Sequence, residues 1–192
     1  MINGNKVTLI PATLDDRRNV YEWCFHSEVT KWHAGPPHFP NVDIPTYEEF
    51  CEDYMDYFFT DEEPEKGRGF IITHDDEPVG FISYTAYHLK PRKSELDIWM
   101  NREAFCGKGF GTDAITSLMK FMGSTMGIRE FIMRPSVKNS RAISSYNKAG
   151  FEESDAVPED YLLAEYVQVY GDGDYGEGES VLLVRQEGEL AQ

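Results

Sequence analysis

The spacing of apolar residues alternates between strand-like and helical along the chain, which predicts a mixture of strands and helices. Residues 6–12 alternate apolar and polar positions and end near a proline, a pattern typical of a first strand. Residues 13–25 follow with helical spacing, and their N-cap is predicted at Thr13 or Asp15. The apolar face of this helix is predicted to contain Val20, Trp23 and Cys24.

A second helix is predicted over residues 46–59, after a proline-rich loop. Thr46 and Glu49 fit a capping box, in which each side chain bonds the backbone amide of the other residue. Its apolar face is predicted to contain Phe50, Tyr54, Tyr57 and Phe58. Three strands are then predicted over residues 69–74, 78–88 and 94–101.

The second half of the chain continues this alternation of helix and strand. A helix is predicted over residues 112–124 and a buried strand over residues 128–137. Residues 139–150 predict a helix that is capped by Asn139 and ended by Gly150. The core-facing positions of the first of these helices are Ile115, Leu118, Met119 and Met122. A closing hairpin is predicted from residues 160–170 and 180–186.

The resulting order of elements, β-α-α-β-β-β-α-β-α-β-β, predicts an α/β protein with a mixed sheet and helices on both faces. No internal repeat or linker divides the sequence, so a single domain is expected over residues 1–192. The N-terminus lacks a basic start followed by an apolar run, and no stretch is long and apolar enough to span a bilayer. The three cysteines form no CxxC pair. We therefore expect a cytoplasmic protein with reduced thiols.

The net charge of −16 is unevenly distributed along the chain. Residues 101–150 carry a surplus of five positive charges, whereas residues 152–180 contain ten acids and no Lys or Arg. A nucleic-acid-binding protein needs a basic face, so the total charge argues against that class. The basic part suits an anion and the acidic remainder suits a cation, although acidic surfaces also serve solubility alone.

A glycine-rich turn over residues 105–116 is the most informative local pattern. Gly107, Gly109 and Gly111 allow positive φ angles and a close approach of a ligand to the backbone. The amides and dipole of the following helix, with Lys108, favour a phosphate or diphosphate. A P-loop would need Ser or Thr after Lys108, and a dinucleotide fingerprint would need GxGxxG, so neither fits. A glycine turn without a ligand is the alternative at this point.

A second motif follows one strand later, and its specified positions are Asn139, Ala142, Tyr146, Lys148, Gly150 and Phe151. With the turn Cys106-Gly107-Lys108-Gly109-Phe110-Gly111, the chain resembles the GCN5-related N-acetyltransferases (GNAT). Their loop reads Q/R-x-x-G-x-G/A and their later helix reads N-x-x-A-x-x-x-Y-x-K-x-G-F. Cys106 departs from that pattern. Within the family the chain is most similar to the aminoglycoside 6′-N-acetyltransferases.

The resemblance implies the GNAT fold, with a mostly antiparallel, splayed sheet, and acetyl-coenzyme A as co-substrate without a metal. The coenzyme's diphosphate would bind the backbone of Gly107, Lys108, Gly109, Phe110, Gly111 and Thr112. A backbone amide near Trp99 or Met100 would polarise the thioester carbonyl. Asn139 would cap its helix and still offer an amide to the ligand. Candidates for the 3′-phosphate are Lys138, Arg141 and Lys148.

The implied chemistry is direct transfer in a ternary complex, with Asp97 as the base that takes the proton of the amine. An electrostatic anchor for the amine is the equal alternative for Asp97, and Glu95 is the second candidate base. Tyr146 would protonate the leaving thiolate. The five histidines show no metal-binding spacing, and no Ser-His-Asp or Cys-His set is present.

The acceptor is expected to be a cationic amine, most similar in class to an aminoglycoside, because acidic segments flank the predicted cleft. These acids are Glu48, Glu49, Glu52, Asp53, Asp56, Asp61, Glu62, Glu63, Glu159, Asp160, Glu165, Asp172 and Asp174. Trp32, Tyr47 and residues 35–40 are candidates for one wall. Alternative acceptors are a protein N-terminus, a lysine-rich peptide or a polyamine, and a non-catalytic acetyl-coenzyme A sensor is the alternative of another class. No nucleic acid or membrane partner is expected, and a homodimer is left open.

Overall fold

A computed structural model describes residues 1–33, 43–176 and 178–186. Its strands are β1 Ile2–Asn3, β2 Thr8–Pro11, β3 Gly67–His74, β4 Glu77–Thr85, β5 Lys93–Met100, β6 Glu130–Met133, β7 Glu152–Glu153 and β8 Leu183–Gln186. Its helices are α1 Arg17–Phe25, α2 Thr30–His33, α3 Tyr47–Asp53, α4 Phe110–Thr125, α5 Ser140–Lys148, α6 Pro158–Tyr161 and α7 Val167–Tyr170. Short 3₁₀ turns lie at Asp56–Phe59, Glu103–Phe105 and Ala164–Tyr166.

These strands form one sheet with the order β1-β2-β3-β4-β5-β6-β8-β7. Neighbouring strands are antiparallel except β5 and β6, which are parallel. The predicted α/β class with a mostly antiparallel mixed sheet is therefore confirmed. Within the described ranges, none of the helices is long and apolar enough to cross a bilayer.

Helices cover both faces of the sheet because the side chains of β5 alternate between two cores. On one face, Leu96 and Ile98 share a cluster with Ile115 and Leu118 of α4. On the other face, Trp99 belongs to a separate cluster that includes buried residues of α1 and α3. The pattern in β5 and in α4 predicted this arrangement.

The central strands β5 and β6 pair only over their first residues. Their register joins Lys93 to Glu130 and ends with Glu95 opposite Ile132. Beyond that point β5 continues to Met100 without a pairing partner in β6. The two strands therefore separate after Glu95, and the sheet opens there as the resemblance implied.

The glycine turn is fixed to the first turn of α4 by the N-terminal segment of the chain. The N-cap of α4 is Gly109, whose φ angle of 84° lies in the left-handed region that favours glycine. The Asp113 carboxylate accepts hydrogen bonds from the amides of Asn5, Lys6 and Val7 at 3.1, 2.7 and 3.1 Å. These bonds hold the start of α4 at the edge of the opening between β5 and β6.

Two predictions for the first helices are corrected. The N-cap of α1 is Asp16, whose carboxylate accepts from the amide and hydroxyl of Thr13 rather than from the helix. The predicted second helix over residues 46–59 ends at Asp53, although its Thr46–Glu49 capping box is present. The backbone leaves the helical region at Tyr54, with ψ at 72°, and the hydroxyl of this tyrosine bonds the carboxylate of Asp97 in β5.

The predicted closing hairpin is wrong. Residues 160–170 lie largely in α6, a 3₁₀ turn and α7, and β8 pairs with β6 and β7 instead. The apolar residues that suggested a strand bury a small third cluster, in which Tyr161 and Leu162 pack with Leu89 and Ile132. Burial against one face of the sheet therefore decided the local structure of this segment.

Candidate active site

A cavity of about 890 Å³ opens where β5 and β6 separate. The predicted site residues that line it are Glu95, Asp97, Trp99, Met100, Gly107, Gly109, Gly111, Thr112, Asn139, Tyr146 and Lys148. Lys108 and Phe110 do not line it. Lys108 is exposed, with its Nζ 5.8 Å from the ring centroid of Phe105, and Phe110 is buried with its ring 4.3 Å from that of His74.

The glycine turn forms one end of the cavity and presents an uncapped helix start to it. In the described part of the chain, no side chain caps the 16-residue helix α4 at Gly109. A Cβ added to Gly107 would meet nothing within 4 Å, so the backbone there is open to a ligand. Lys6 donates from Nζ to the carbonyl of Lys108 at 2.9 Å and adds a positive charge. An open, uncapped helix start beside a cation fits a diphosphate group.

The side chain of Asn139 makes hydrogen bonds to two other parts of the protein. Its Oδ1 accepts from the amide of Ala142 at 3.1 Å, which confirms the N-cap, and its Nδ2 donates to the carbonyl of Trp32 at 2.6 Å. Arg141 pairs with Glu103 and stacks 4.7 Å from the ring centroid of Trp32. One N–H of the Asn139 amide is therefore used within the protein, and the residue also lines the cavity.

The basic residues at this end of the cavity differ in how far they are engaged. Lys138 lies near Glu179, with 3.8 Å between its Nζ and the nearer carboxylate oxygen. Lys148 is exposed and lines the cavity. Of the three candidates for the 3′-phosphate, Lys148 is thus the one with the least competition from acidic side chains.

Asp97 is held in the middle of the cavity by two hydrogen bonds. Its Oδ2 accepts from the hydroxyl of Tyr54 at 2.7 Å, and its Oδ1 accepts from the amide of Ile98 at 2.8 Å. Burial first, and the adjacent Asp97 carboxylate second, raise the pKa of Tyr54 well above its usual range. Tyr54 therefore stays a proton donor and fixes the orientation of the carboxylate.

Tyr146 faces the same space from α5. Its side chain is buried, and burial raises the pKa of its phenol above the usual range, with a further contribution from the charge of Asp97. Within the described residues, its hydroxyl makes no hydrogen bond. A protonated phenol that lines the cavity and senses Asp97 can donate a proton to a group bound between them.

Glu95 is engaged in a largely buried ion pair. Arg134 donates from Nε to Oε1 at 2.6 Å and from Nη2 to Oε2 at 2.9 Å, and His88 Nε2 lies 2.9 Å from Oε2. Desolvation acts to raise the pKa of Glu95, but the charge of Arg134 and these hydrogen bonds outweigh it. The pKa of Glu95 is therefore lowered to about 2. A carboxylate of this kind is a weak base and a strong structural partner.

Asp174 adds a further carboxylate to the cavity, next to Tyr175. Asp174 is exposed by surface area, although protein atoms surround its carboxylate on several sides. Desolvation by these atoms, followed by the charges of Glu95 and Asp97, raises the pKa of Asp174 to about 7. We therefore expect Asp174 to change its charge near neutral pH.

Fewer of the predicted acidic residues line the cavity than the sequence indicated. Of the acids named for the cleft, those that line the cavity are Glu52, Asp53 and Asp174, joined by Asp43. Others are used elsewhere, because Asp56 pairs with Arg17 and Asp61 pairs with Arg68. Counting charges along a segment cannot distinguish these two uses.

The two aromatic residues expected in one wall of the acceptor site differ in position. Trp32 lines the cavity and donates from Nε1 to Glu103 at 3.2 Å. Tyr47 instead packs against the rings of Tyr21 and Phe50. Residues 35–40 lie outside the described residues.

Several contributors to the site cannot be identified from local sequence patterns. Tyr54 fits a helix face and Arg134 fits a strand, and neither pattern indicates a polar contact. Lys6 and His88 are far from the motifs in sequence. The remaining signal was the acidic turn, since a Gly- and Asp-rich segment that contains Asp174 stands out by composition.

The cysteines are free thiols. Cys24 and Cys106 both line the cavity, and burial raises the pKa of each thiol. No group of three or more His, Cys, Asp or Glu side chains among the described residues is arranged to hold a metal ion.

The fold is the one expected for an N-acetyltransferase. Residues 6–152 match the family described as acetyltransferase (GNAT) domain. The chain therefore belongs to the GNAT acetyltransferase family.

Individual relatives are similar over most of the chain. The aminoglycoside N(6′)-acetyltransferases type 1 of Klebsiella pneumoniae and Serratia marcescens are each 27% identical over 165 residues, which cover 81% of this chain and 78% of theirs. The structure of AAC(6′)-Ib with ribostamycin and coenzyme A superposes with a TM-score of 0.70 at 23% identity, covering 95% of this chain and 94% of that one. The structure of spermidine N-acetyltransferase from Vibrio cholerae, in complex with coenzyme A and spermine, superposes with a TM-score of 0.64 at 16% identity. The match covers 94% of this chain and 95% of that one.

Proposed function

We propose that this protein is an acetyl-coenzyme A-dependent N-acetyltransferase that acts on a primary amine of a cationic small molecule, in the class of aminoglycosides and at a 6′-amine. One observation carries the proposal. A helix start suited to a diphosphate and a group of carboxylates suited to an ammonium open into one cavity, with Asp97 between them. The similarity to aminoglycoside 6′-N-acetyltransferases supports the acceptor class.

The coenzyme supplies an activated acetyl group as a thioester. The glycine turn and α4 would hold its diphosphate, and the exposed amine of Lys148 is placed to attract its 3′-phosphate. The part of β5 that has no partner in β6 would run beside the pantetheine arm of the coenzyme, where a backbone amide near Trp99 or Met100 would polarise the thioester carbonyl. The role of this chain up to that point is to bind and orient the donor.

Asp97 and Tyr146 handle the two protons of the transfer. An ammonium must lose a proton before its nitrogen can attack, and Asp97 takes that proton directly or through water. The new N–C bond forms as the C–S bond breaks, and Tyr146 gives its proton to the departing sulfur. The second proton that the nitrogen loses returns to the Tyr146 phenolate through water, and Asp97 releases the first proton to solvent. The products are an amide, a free thiol and one proton. Tyr54 keeps the Asp97 carboxylate aimed into the cavity through its hydrogen bond.

Glu95 has a different role in this proposal from that of a second base. Its carboxylate is bound by Arg134 on both oxygens, and its pKa is near 2. Proton transfer to such a group is unfavourable at neutral pH. We assign Glu95 a structural role, in which its carboxylate holds the Arg134 guanidinium in place. Asp97 is the carboxylate that takes the proton of the amine.

The acidic half of the cavity supports a polycationic acceptor. Glu52, Asp53 and Asp174 surround the space next to Asp97 without a basic partner in the described ion pairs. Polyamines fit the same charge pattern, and the likeness to a spermidine N-acetyltransferase structure concerns the fold alone. Peptide amines are the third possibility, and a cytoplasmic location and a homodimer remain predictions.

A thiol-release assay tests the proposal. Acetyl-coenzyme A is incubated with the protein and with a kanamycin-type aminoglycoside, spermidine, or a lysine-rich peptide. We expect thiol release with the aminoglycoside and a product that is acetylated at the 6′-amine by NMR. Thiol release with only spermidine or only the peptide would show that the acceptor is a polyamine or a peptide amine and not an aminoglycoside. Binding of the coenzyme without thiol release on any amine would indicate a sensor.

Replacing Asp174 by asparagine should weaken acceptor turnover only above neutral pH. Because the pKa of Asp174 is raised to about 7, its carboxylate is charged above that pH and neutral below it. The ratio of wild-type to Asp174→Asn kcat/KM should be near one at low pH. It should rise through neutral pH to about 10-fold or more, the usual value of a hydrogen bond to a charged group.

The neighbouring Asp172 supplies a matched control for this pH series. It belongs to the same turn and is exposed, but it does not line the cavity. Asp172→Asn should therefore leave the ratio flat across the pH range. A ratio for Asp174→Asn that is also flat would show that this carboxylate does not meet the acceptor.

A further inference from the structure

The turn over residues 171–176, here called the acidic loop, brings Asp174 and Tyr175 into the cavity. These residues lie outside the stretch 6–152 that matches the family. The residues that immediately follow β6 hold both sides of this loop. The acidic loop therefore depends for its position on a segment at the point where the sheet opens.

Arg134 binds the first side of the acidic loop to the sheet. Two arms of its guanidinium bind both oxygens of Glu95, at 2.6 and 2.9 Å, and the remaining Nη1 donates to the carbonyl of Tyr170. Its side chain is 8% exposed. A Cβ added to Gly173 would lie 3.7 Å from Nη1, so the guanidinium passes directly beneath the loop.

Backbone pairing binds the second side. The amide of Val137 donates to the carbonyl of Glu179 at 2.9 Å, and the amide of Val181 donates to the carbonyl of Pro135 at 3.0 Å. Ser136 and Ser180 form an antiparallel bridge between them. This side is fixed to the segment after β6 by the main chain. On the first side, the Tyr170 ring packs on Tyr87 and the loop makes its own turn bonds, and Arg134 supplies the hydrogen bond that links the Tyr170 carbonyl to Glu95 of the sheet.

We propose that Arg134 is a positioning residue for the acceptor amine, because it ties the Tyr170 carbonyl to Glu95 and so keeps the acidic loop over the cavity. The inference rests on the proposed function, since it concerns the acceptor of that same site. Arg134 does not touch the reacting atoms in this account. It acts through Asp174 and Tyr175, whose placement over Asp97 it maintains.

The shape of the guanidinium explains why an arginine occupies this position. Its planar fork carries five N–H donors in fixed directions, so it can bind a carboxylate with one edge and a carbonyl with another. A lysine ammonium is a single point and cannot keep both arms in place. Arg134→Lys therefore preserves the positive charge beside Glu95 while it releases the loop.

The test compares Arg134→Lys with Arg129→Lys. Arg129 stands just before β6 at the far end of the strand, is likewise partly buried, and bonds the carbonyls of Gly123 and Ile128. For Arg134→Lys we expect the KM of the acceptor to rise about tenfold, with the KM of acetyl-coenzyme A and kcat within about threefold of wild type. Arg129→Lys should leave all three parameters near wild type.

Hydrogen exchange of the free protein gives a readout that needs no turnover. We expect the amides of residues 171–176 to exchange about tenfold faster in Arg134→Lys and unchanged in Arg129→Lys. If Arg134→Lys is too unstable to purify, the pair Glu95→Gln with Arg134→Gln removes both buried charges together and should show the same two effects.

The pH dependence of acceptor kcat/KM distinguishes a positioning role of Arg134 from an effect of its charge on Asp174. Asp174 is faced by Glu95 and Asp97 of β5, by Asp53 of α3 and by Arg134. Arg134→Lys retains the local charge, so the rise of acceptor kcat/KM near neutral pH should stay at the same pH while its height falls. An unchanged acceptor KM, or unchanged exchange of the loop, overturns the inference.

Failure of the inference can be distinguished from failure of the proposed function. If the wild-type protein acetylates no amine, the proposed function fails, and exchange of the loop still tests whether Arg134 holds it. If the wild type is active and Arg134→Lys keeps the wild-type KM for the acceptor, the inference alone fails.

Discussion

Asp97→Asn should lower kcat for acetyl transfer by about 10²- to 10⁴-fold, the usual contribution of a positioned general base. Asparagine is close in shape to aspartate and can still accept the hydrogen bond from Tyr54. It cannot take a proton from the ammonium. Steady-state kinetics at saturating acetyl-coenzyme A, with the acceptor varied at pH 8, measures the loss.

Asp53→Asn is the matched control for this substitution. Asp53 lines the same cavity from the C-terminal end of α3 but lies outside the hydrogen-bonded centre around Asp97. Its replacement should raise the KM of the acceptor without a large change in kcat. The same pattern for Asp97→Asn, a raised KM with wild-type kcat, would identify Asp97 as an anchor of the amine and contradict its role as base.

Gly109→Val should abolish measurable binding of acetyl-coenzyme A. Gly109 has a φ of 84°, and a residue with a Cβ pays about 1–2 kcal/mol in that region. A Cβ at this position would stand 3.0 Å from Lys6 Nζ, and the two methyl groups of valine would push away the cation that bonds the turn. The turn would reorganise, and the first amides of α4 would lose their common direction. Calorimetric titration with the coenzyme measures the effect.

Gly127→Val separates the loss of the site from the cost of backbone strain. Gly127 follows the opposite end of the same helix and has a φ of 70°, so valine is strained there as well. Nothing lies within 4 Å of a Cβ at that position. We expect Gly127→Val to lose about as much thermal stability as Gly109→Val. It should still bind the coenzyme with wild-type affinity. Equal loss of binding in both variants would mean that the glycine turn has no special role.

The sequence was sufficient for the parts of the site that depend on local rules. The positive φ of Gly109 and the capping of α5 by Asn139 follow from the chemistry of single residues and their neighbours. The alternation in β5 correctly placed Asp97 and Trp99 on one face. These features were predicted because each is decided within a few residues of chain.

Contacts between distant segments were not predictable in the same way. The ion pair of Glu95 with Arg134 joins residues 39 positions apart, and Tyr54 reaches Asp97 across 43. The apolar positions of residues 160–170 fit a strand as well as short helices, and only burial on the sheet decides between them. The acidic loop was visible as composition, but the contacts beside it join distant segments, such as the hydrogen bond from Arg134 to the Tyr170 carbonyl.

Equilibrium titration of the purified protein with coenzyme A and, in parallel, with pantetheine tests the central claim most directly. Pantetheine has the thiol arm but no diphosphate. If the glycine turn and the start of α4 hold the diphosphate, coenzyme A should bind at least about 100-fold more tightly, and Gly109→Val should remove that difference. Equal affinities for the two compounds, or no binding of coenzyme A by the wild-type protein, would contradict the account.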